Sequence, residues 1–222
     1  MARVVAPGVP HHVTQRGNRR QKVFFREEDY ALYKELLIEG CRAARVEVLA
    51  WCLMPNHVHL ILVPKDEDGL RAALAEAHRR YTRHINLREG WHGFLWQGRF
   101  ASVAVDENHL MACARYVELN PVRAKLVRRA RDWRWSSARA HLDDRADGLV
   151  DPHKLLRLVD DWKDFLGEGL DAPMLEAIRK GERTGRPLGS ARFIAKLESR
   201  LGRTLARQKP GPKPRKRRAK KA

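Results

Sequence analysis

The chain has 222 residues, of which 43% are hydrophobic, and this is enough for one domain with a buried core plus an accessory segment. Its formal net charge is +18, which favours a polyanionic partner such as nucleic acid. No apolar run is long enough to span a bilayer, and the first residues lack the apolar stretch of a signal peptide. These properties argue against a membrane partner.

The three cysteines, Cys41, Cys52 and Cys113, lie far apart and form no Cys-x-x-Cys pair. This spacing argues against a disulfide framework and against a zinc ribbon. A reducing, cytoplasmic location is therefore expected.

The hydrophobic pattern predicts seven elements in the first 120 residues. In chain order they are a strand at 10–17, a helix at 27–44, strands at 46–53 and 56–64, a helix at 67–87, a strand at 99–105 and a helix at 106–120. This order is typical of a split βαβ sheet. We therefore predict an α+β, ferredoxin-like (RRM-like) antiparallel sheet with helices on one face and the third helix brought against the sheet.

The character of the chain changes after about residue 130. Asp151-Pro152 begins an apolar helical pattern that Gly167 ends, and shorter helical patterns follow near 172–180 and 190–203. The last residues are rich in Pro, Lys and Arg. We predict three parts, which are a main domain at 1–148, a helical accessory segment at 149–205 and a basic, disordered tail at 206–222.

Two histidines share one face of the strand at 56–64. Because side chains alternate along a strand, His57 and His59 point to one side, and Val58 and Leu60 point to the other. Two imidazoles so placed can converge on one metal ion. An isolated pair of this kind is more often a pair of hydrogen-bonded, partly buried histidines, so its interpretation depends on a second set of residues.

That second set lies on the helix at 106–120, where Tyr116 and Asn120 are four residues apart at the edge of the apolar face. A phenol can attack a phosphodiester, and a neutral amide oxygen can join two histidines around a metal. Since a tyrosine has an ordinary pKa near 10, nearby positive charge must help, and Arg115 and Arg123 are candidates. The alternative is a tyrosine that only packs.

Several linked motifs resemble those of one protein family. They are His11–Asn18, Met54–His59, Trp96–Phe100, Arg115–Ala124 and Trp135–Ser137. In this order they resemble the REP-associated tyrosine transposases, bacterial relatives of the single-tyrosine HUH insertion-sequence transposases. The resemblance covers about residues 8–141.

The resemblance implies an HUH endonuclease fold in which residues 1–148 form the catalytic domain. It implies Mg²⁺ or Mn²⁺ on His57 and His59, and Tyr116 as the nucleophile that forms a 5′-phosphotyrosine and leaves a 3′-hydroxyl. Asn120 stands where the insertion-sequence relatives carry a glutamine metal ligand. Substrates in the family are single strands with imperfect hairpins and a guide tetranucleotide. Both monomers and dimers occur in the wider family, so the oligomeric state stays open.

Basic residues supply candidate DNA contacts. In the main domain and in the tail they are Arg16, Arg19, Arg20, Arg79, Arg83, Arg99, Arg123, Lys213, Arg215, Arg217 and Arg218. For Arg16, Arg19 and Arg20 the alternative is a solvated turn. For the tail residues the alternative is non-specific affinity for phosphates.

Three rival functions remain. One is a ferredoxin-like nucleic-acid-binding protein without catalysis. Another is a metal-dependent hydrolase that adds His84, His92 or His109 to the histidine pair and uses water. The third is an HUH replication initiator or relaxase, although in relaxases the tyrosine precedes the histidines in the chain, whereas here it follows them.

Overall fold

The computed structural model describes residues 3–206, and its centre is a four-stranded antiparallel sheet. The strands are β1 (His11–Arg16), β2 (Glu47–Met54), β3 (His57–Val63) and β4 (Ala101–Ala104). Their spatial order is β2-β3-β1-β4, with every neighbouring pair antiparallel. This is the order of a split βαβ sheet, and the predicted α+β fold is confirmed.

Two helices, α1 (Glu27–Ala43) and α2 (Gly69–Glu89), cover one face of the sheet. Their buried side chains pack against Val13, Trp51 and Leu60 from the strands. The two helices approach most closely at Gly40, where an added Cβ would lie 2.2 Å from the backbone oxygen of Ala73. Only glycine fits this crossing without moving the backbone.

The third helix, α3 (Glu107–Glu118), covers the opposite face, so the helices do not all lie on one side. Strands β2 and β3 are buried on both faces, which requires a second layer. Asp106 caps α3, since its carboxylate accepts a hydrogen bond from the backbone N–H of His109 at 3.1 Å. The helix ends at Glu118, and a separate turn, α4 (Asn120–Arg123), follows it.

Short helices make up the remainder of the described chain. They are α5 (Ala138–Leu142), α6 (His153–Leu156), α7 (Trp162–Gly167), α8 (Ala172–Thr184) and α9 (Ala191–Leu201). The prediction of one continuous helix from residue 151 to 166 was wrong. Asp161 instead caps a new helix, because its side chain accepts from the backbone N–H of Asp164 at 2.7 Å.

The C-terminal helices form the expected helical extension, and part of it packs on the α3 face of the sheet. Trp162, Phe165 and Ile178 are buried in the same cluster as the apolar side of α3. The division at residue 148 stays a prediction. No helix within residues 3–206 combines the length and apolar character needed to cross a bilayer. The tail residues proposed as DNA contacts lie outside the described residues.

The buried carboxylate of Asp29 provides a test of the packing of α1. It pairs with the guanidinium of Arg88 from α2 and accepts the backbone N–H groups of Phe25 at 2.8 Å and Arg26 at 3.1 Å. Asp29→Asn leaves Arg88 without its buried partner. We expect the free energy of unfolding in urea to fall by about 3 kcal/mol at neutral pH.

The same pair predicts a pH dependence. Burial by itself raises the pKa of Asp29, but Arg88 and the two backbone donors outweigh burial and lower it. The stabilisation is therefore present above about pH 4 and is lost as the pH falls through the lowered folded pKa. The wild-type advantage over Asp29→Asn should shrink in acid. An equal difference at neutral and acid pH would contradict the assignment, and the exposed Asp160→Asn is the control.

Candidate active site on the α3 face of the sheet

Three histidines lie together on the face that α3 covers. His59 of β3 and His12 of β1 stack with ring centroids 5.3 Å apart, and His12 Nε2 lies 3.0 Å from His59 Nδ1. The ring of His57 meets that of His59 edge-on at 4.9 Å. The Nδ1 of His57 is hydrogen-bonded to Asn56 Oδ1 at 2.6 Å. The strand alternation expected from the sequence therefore places His57 and His59 together, and β1 adds a third imidazole.

All three imidazoles are held in the neutral form. Burial, followed by the positive charge of Arg123, lowers the pKa of His12 to about 3. Burial, then Arg16 and Arg123, lower the pKa of His57 to about 3. Burial and then the neighbouring histidines lower the pKa of His59 well below its ordinary value. A neutral imidazole has a free lone pair, which is the form that binds metal ions.

Tyr116 packs directly against this cluster. Its ring lies edge-on to His59 at 5.5 Å and to His12 at 5.8 Å between centroids. The side chain is only 7% exposed, so it is more deeply enclosed than the edge position expected from the sequence. The helix α3 therefore delivers a phenol to the same place at which two strands deliver imidazoles.

Two arginines flank the phenol. The guanidinium of Arg123 stacks 4.1 Å above the ring of Tyr116, and its Nη1 donates to the backbone oxygen of Tyr116 at 2.8 Å. Burial and the charge of Glu182 raise the pKa of Tyr116, whereas Arg123 and Arg179 lower it. The net pKa is raised, so the two arginines offset only part of the effect of burial.

The helix α8 of the extension supplies both Arg179 and Glu182. It approaches β4 at Gly181, where an added Cβ would lie 3.2 Å from Val103. Glu182 Oε1 lies 3.6 Å from His59 Nδ1 and 3.8 Å from His12 Nε2. Burial, opposed by nearby arginines, raises the pKa of Glu182 to about 7. Among residues 3–206, His12, His59 and Glu182 form the group whose donor atoms could hold one metal ion.

A buried polar network fixes the end of α3 next to Tyr116. Glu118 accepts from Ser137 Oγ at 2.6 Å and from Trp162 Nε1 at 2.8 Å, and it is hydrogen-bonded to His141 Nδ1 at 2.6 Å. Both Glu118 and His141 are almost fully buried. Two of the sequence motifs thus meet here, because Glu118 belongs to the tyrosine motif and Ser137 to the motif after the core.

Removing the Glu118 carboxylate should lower the stability of the protein and loosen the end of α3 that carries Tyr116. Glu118→Ala leaves three buried donors without an acceptor, so we expect the free energy of unfolding to fall by about 3 kcal/mol or more. The measurement is urea unfolding followed by tryptophan fluorescence. Exposed Glu107→Ala on the same helix is the control. A loss below about 1 kcal/mol would show that the network does not hold α3 in place.

The other site residues predicted from the sequence fall into two groups. Asn120 is buried at the start of α4, and its Nδ2 has no hydrogen-bond partner in the described structure. Its role as a metal ligand stays a prediction. Arg115, expected near the phenol, instead pairs with Glu168 and lies 4.1 Å over the ring of Phe165. Of the two candidates, only Arg123 reaches Tyr116.

Three arginines, one at the end of β1 and two in the turn after it, lie near the histidine cluster. Arg16 is close enough to lower the pKa of His57. Arg19 and Arg20 are exposed in a turn, and the backbone oxygen of Arg20 accepts from Asn56 Nδ2 at 3.0 Å. Because Asn56 also holds His57, this basic turn is joined to the candidate site.

Three further arginines share one groove on the α2 side of the sheet. Arg79, Arg83 and Arg99 line a cavity of about 540 Å³. Phe94 lies on its wall and is 83% exposed. A groove with positive charge and an exposed aromatic ring suits a nucleic-acid strand. Trp96 and Trp135 are buried in the core.

Some residues of the site were not predicted from the sequence. His12 lies on β1, which is the neighbour of β3 in the sheet. Strand alternation could therefore have placed His12 on the same face as His59 once the sheet order was known. Arg179 and Glu182 gave no signal, because their helix follows the last recognised motif by more than 30 residues.

A ferredoxin-like sheet with histidines facing a tyrosine on the following helix is the arrangement of the single-tyrosine HUH class. Residues 7–120 match the family described as transposase, IS200 like. The match spans more than half of the chain, and the protein belongs to this family.

Relatives and solved structures agree with this membership. A REP-associated tyrosine transposase of Escherichia coli strain K12 is 24% identical over 121 residues, which are 54% of this chain and 70% of the relative. The ISDra2 transposase TnpA of Deinococcus radiodurans is 29% identical over 93 residues, 38% of this chain and 65% of that protein. A solved REP-associated tyrosine transposase bound to a REP hairpin superposes with a TM-score of 0.56 at 24% identity, covering 67% and 86% of the two chains. This superposition supports the fold.

Proposed function

We propose that this protein is a metal-dependent single-strand DNA endonuclease and strand transferase that cleaves near hairpin-forming repeats through a 5′-phosphotyrosine intermediate. The observation that carries the proposal is the placement of the Tyr116 ring 5.5 Å from His59, inside a cluster of neutral imidazoles. The family supplies the reaction class, since its members are transposases.

The tyrosine is the group that attacks the phosphodiester. A bond forms between Tyr116 Oη and phosphorus while the bond to the 3′-oxygen breaks. The phenol loses one proton and the departing 3′-oxygen gains one, so the step is balanced. Arg123 and Arg179 lie where they favour the phenolate over the phenol. The aryl ester that results is a good leaving group, so a later 3′-hydroxyl can reverse the step and rejoin the strand without ATP.

The histidine cluster suits a divalent ion such as Mg²⁺ or Mn²⁺. His59 stands at its centre, with His57 on one side and His12 on the other. A divalent ion held by these imidazoles would supply Lewis-acid stabilisation of the charge on the phosphate. The protein contributes imidazoles that burial keeps neutral, so no proton must leave before an ion binds. Asn120 is a further ligand candidate from the sequence.

The basic surfaces favour hairpin-bearing single-stranded DNA as the substrate. The groove lined by Arg79, Arg83 and Arg99 and the turn with Arg19 and Arg20 carry positive charge toward solvent. The related transposase whose fold matches was solved with a REP hairpin. We infer that a structured strand contacts these arginines while a single strand enters the histidine–tyrosine site. A monomer and a dimer are both compatible with this proposal.

The proposal is tested by incubating the full chain with end-labelled, hairpin-bearing single-stranded DNA and Mn²⁺ or Mg²⁺, followed by a denaturing gel. A covalent protein–DNA band that EDTA prevents supports the proposal. DNA binding without any covalent band on a panel of hairpins favours the alternative, a ferredoxin-like nucleic-acid-binding protein. An HUH replication initiator would also give the band, because it uses the same phosphotyrosine chemistry.

A further inference from the structure

Glu182 places a carboxylate oxygen in the protein interior without a partner. Its Oε1 is buried and makes no hydrogen bond in the described structure. The nearest ring nitrogens, His59 Nδ1 and His12 Nε2, are 3.6 and 3.8 Å away, which is too long for a hydrogen bond. An unpaired buried carboxylate oxygen is unfavourable. A cation bound between these three atoms would remove that cost.

The separations of the three donor atoms fit one ion. The two nitrogens are hydrogen-bonded to each other at 3.0 Å, and the carboxylate oxygen lies 3.6 and 3.8 Å from them. An ion with bonds of about 2.1 Å holds donors about 3.4 Å apart at tetrahedral angles and about 3.0 Å apart at right angles. The three donor atoms therefore need to move only slightly to surround an ion. The separations of 3.6 and 3.8 Å are too long for a hydrogen bond between the carboxylate and either imidazole.

The chemistry of the three donors is that of a metal site. Two neutral imidazoles and one carboxylate bind transition-metal ions, and nitrogen donors suit Mn²⁺ better than Mg²⁺, which prefers oxygen. The positive charges that act on Glu182 come from Arg16, Arg123 and Arg179, together with Arg183 of its own helix. None of these guanidinium groups hydrogen-bonds the buried Oε1.

We propose that Glu182 is a protein ligand of the divalent cation, together with His12 and His59. This inference rests on the proposed metal dependence. Its consequence is that the C-terminal extension is part of the catalytic site, because the helix α8 supplies the one acidic ligand. The binding of the ion and the docking of α8 on the sheet would then support each other.

The test is Mn²⁺ binding by the full chain without DNA, measured by the loss of the electron paramagnetic resonance signal of free Mn²⁺. We expect Glu182→Gln to weaken binding by at least about tenfold. Glu176→Gln is the matched control, because Glu176 is exposed on the same helix and pairs only with Arg183. Glu176→Gln should stay within about threefold of wild type, and Asn120→Ala should weaken binding less than Glu182→Gln does.

Thermal unfolding supplies a second readout that separates binding from folding. Glu182→Gln removes an unpaired charge, so in EDTA we expect it to melt no lower than wild type, while Mn²⁺ should raise the melting temperature of wild type but not of the variant. If Glu182→Gln is unfolded in EDTA, His12→Gln carries the same test. Mn²⁺ affinity of Glu182→Gln within about threefold of wild type overturns the inference, as does a loss that is found with Asn120→Ala alone.

Failure of this inference and failure of the proposed function give different results. If wild type forms no covalent adduct on any hairpin, the proposed function fails regardless of Mn²⁺ affinity. If wild type forms an adduct that EDTA prevents, and Glu182→Gln binds Mn²⁺ normally, only the role of Glu182 is refuted.

Discussion

Replacing Tyr116 with phenylalanine should abolish the covalent protein–DNA adduct, with a loss of at least about a thousandfold. The substitution removes one oxygen atom and keeps the ring that packs edge-on against His59 and His12. Stability should therefore change little, and DNA binding should remain. The measurement is the yield of the labelled covalent band on a denaturing gel in the presence of Mn²⁺.

Tyr30→Phe is a matched control for this result. Tyr30 is as buried as Tyr116, but it stacks between Phe24 and Trp135 on the other face of the sheet. Its loss should leave the adduct unchanged. A covalent band that survives Tyr116→Phe would assign the nucleophile to another residue. Cleavage that survives without any covalent band would instead indicate a hydrolase that uses water.

The second large effect is expected at His59, whose ring contacts both other histidines of the cluster. We expect His59→Ala to reduce adduct formation by at least about a hundredfold and to weaken Mn²⁺ binding. The residue is central because its ring also contacts Tyr116 and its Nδ1 faces His12 and Glu182. Adduct yield and Mn²⁺ affinity should fall together.

His84→Ala is the control for this second prediction. His84 is exposed on α2, on the side of the sheet away from the cluster, and a metal-dependent hydrolase would need such an additional histidine. Its substitution should change neither Mn²⁺ affinity nor adduct yield. Full activity of His59→Ala would remove the histidine cluster from the mechanism, and loss of activity in His84→Ala would favour the hydrolase.

The sheet could be predicted from the sequence because its signals are local. Continuous apolar runs marked β2 and β3, and spacings of three and four marked α1 and α2. The strand alternation also placed His57 and His59 on one side before any contact was known. The position of α3 on the opposite face was not predicted, because which face a helix covers depends on long-range packing against strands that are apolar on both sides.

The extension shows where local patterns fail. Residues 151–166 have helical periodicity, yet Asp161 caps a new helix within this range. The indole of the next residue, Trp162, donates a hydrogen bond to the buried Glu118. Arg179 and Glu182 look like ordinary charged residues on an amphipathic helix. The approach of Glu182 to His12 of β1 and His59 of β3 depends on contacts across more than 100 residues of sequence, which no local pattern encodes.

The family match ends at residue 120, whereas two charged side chains that face the tyrosine and the histidines come from α8, beyond residue 171. A chain that shares the motifs but has no helix in the place of α8 would lack both of these charged side chains. Transferring only residues 7–120 of this chain to a shorter relative would therefore leave out Arg179 and Glu182. Chimeras that exchange residues 172–184 together with the sheet should retain their chemistry.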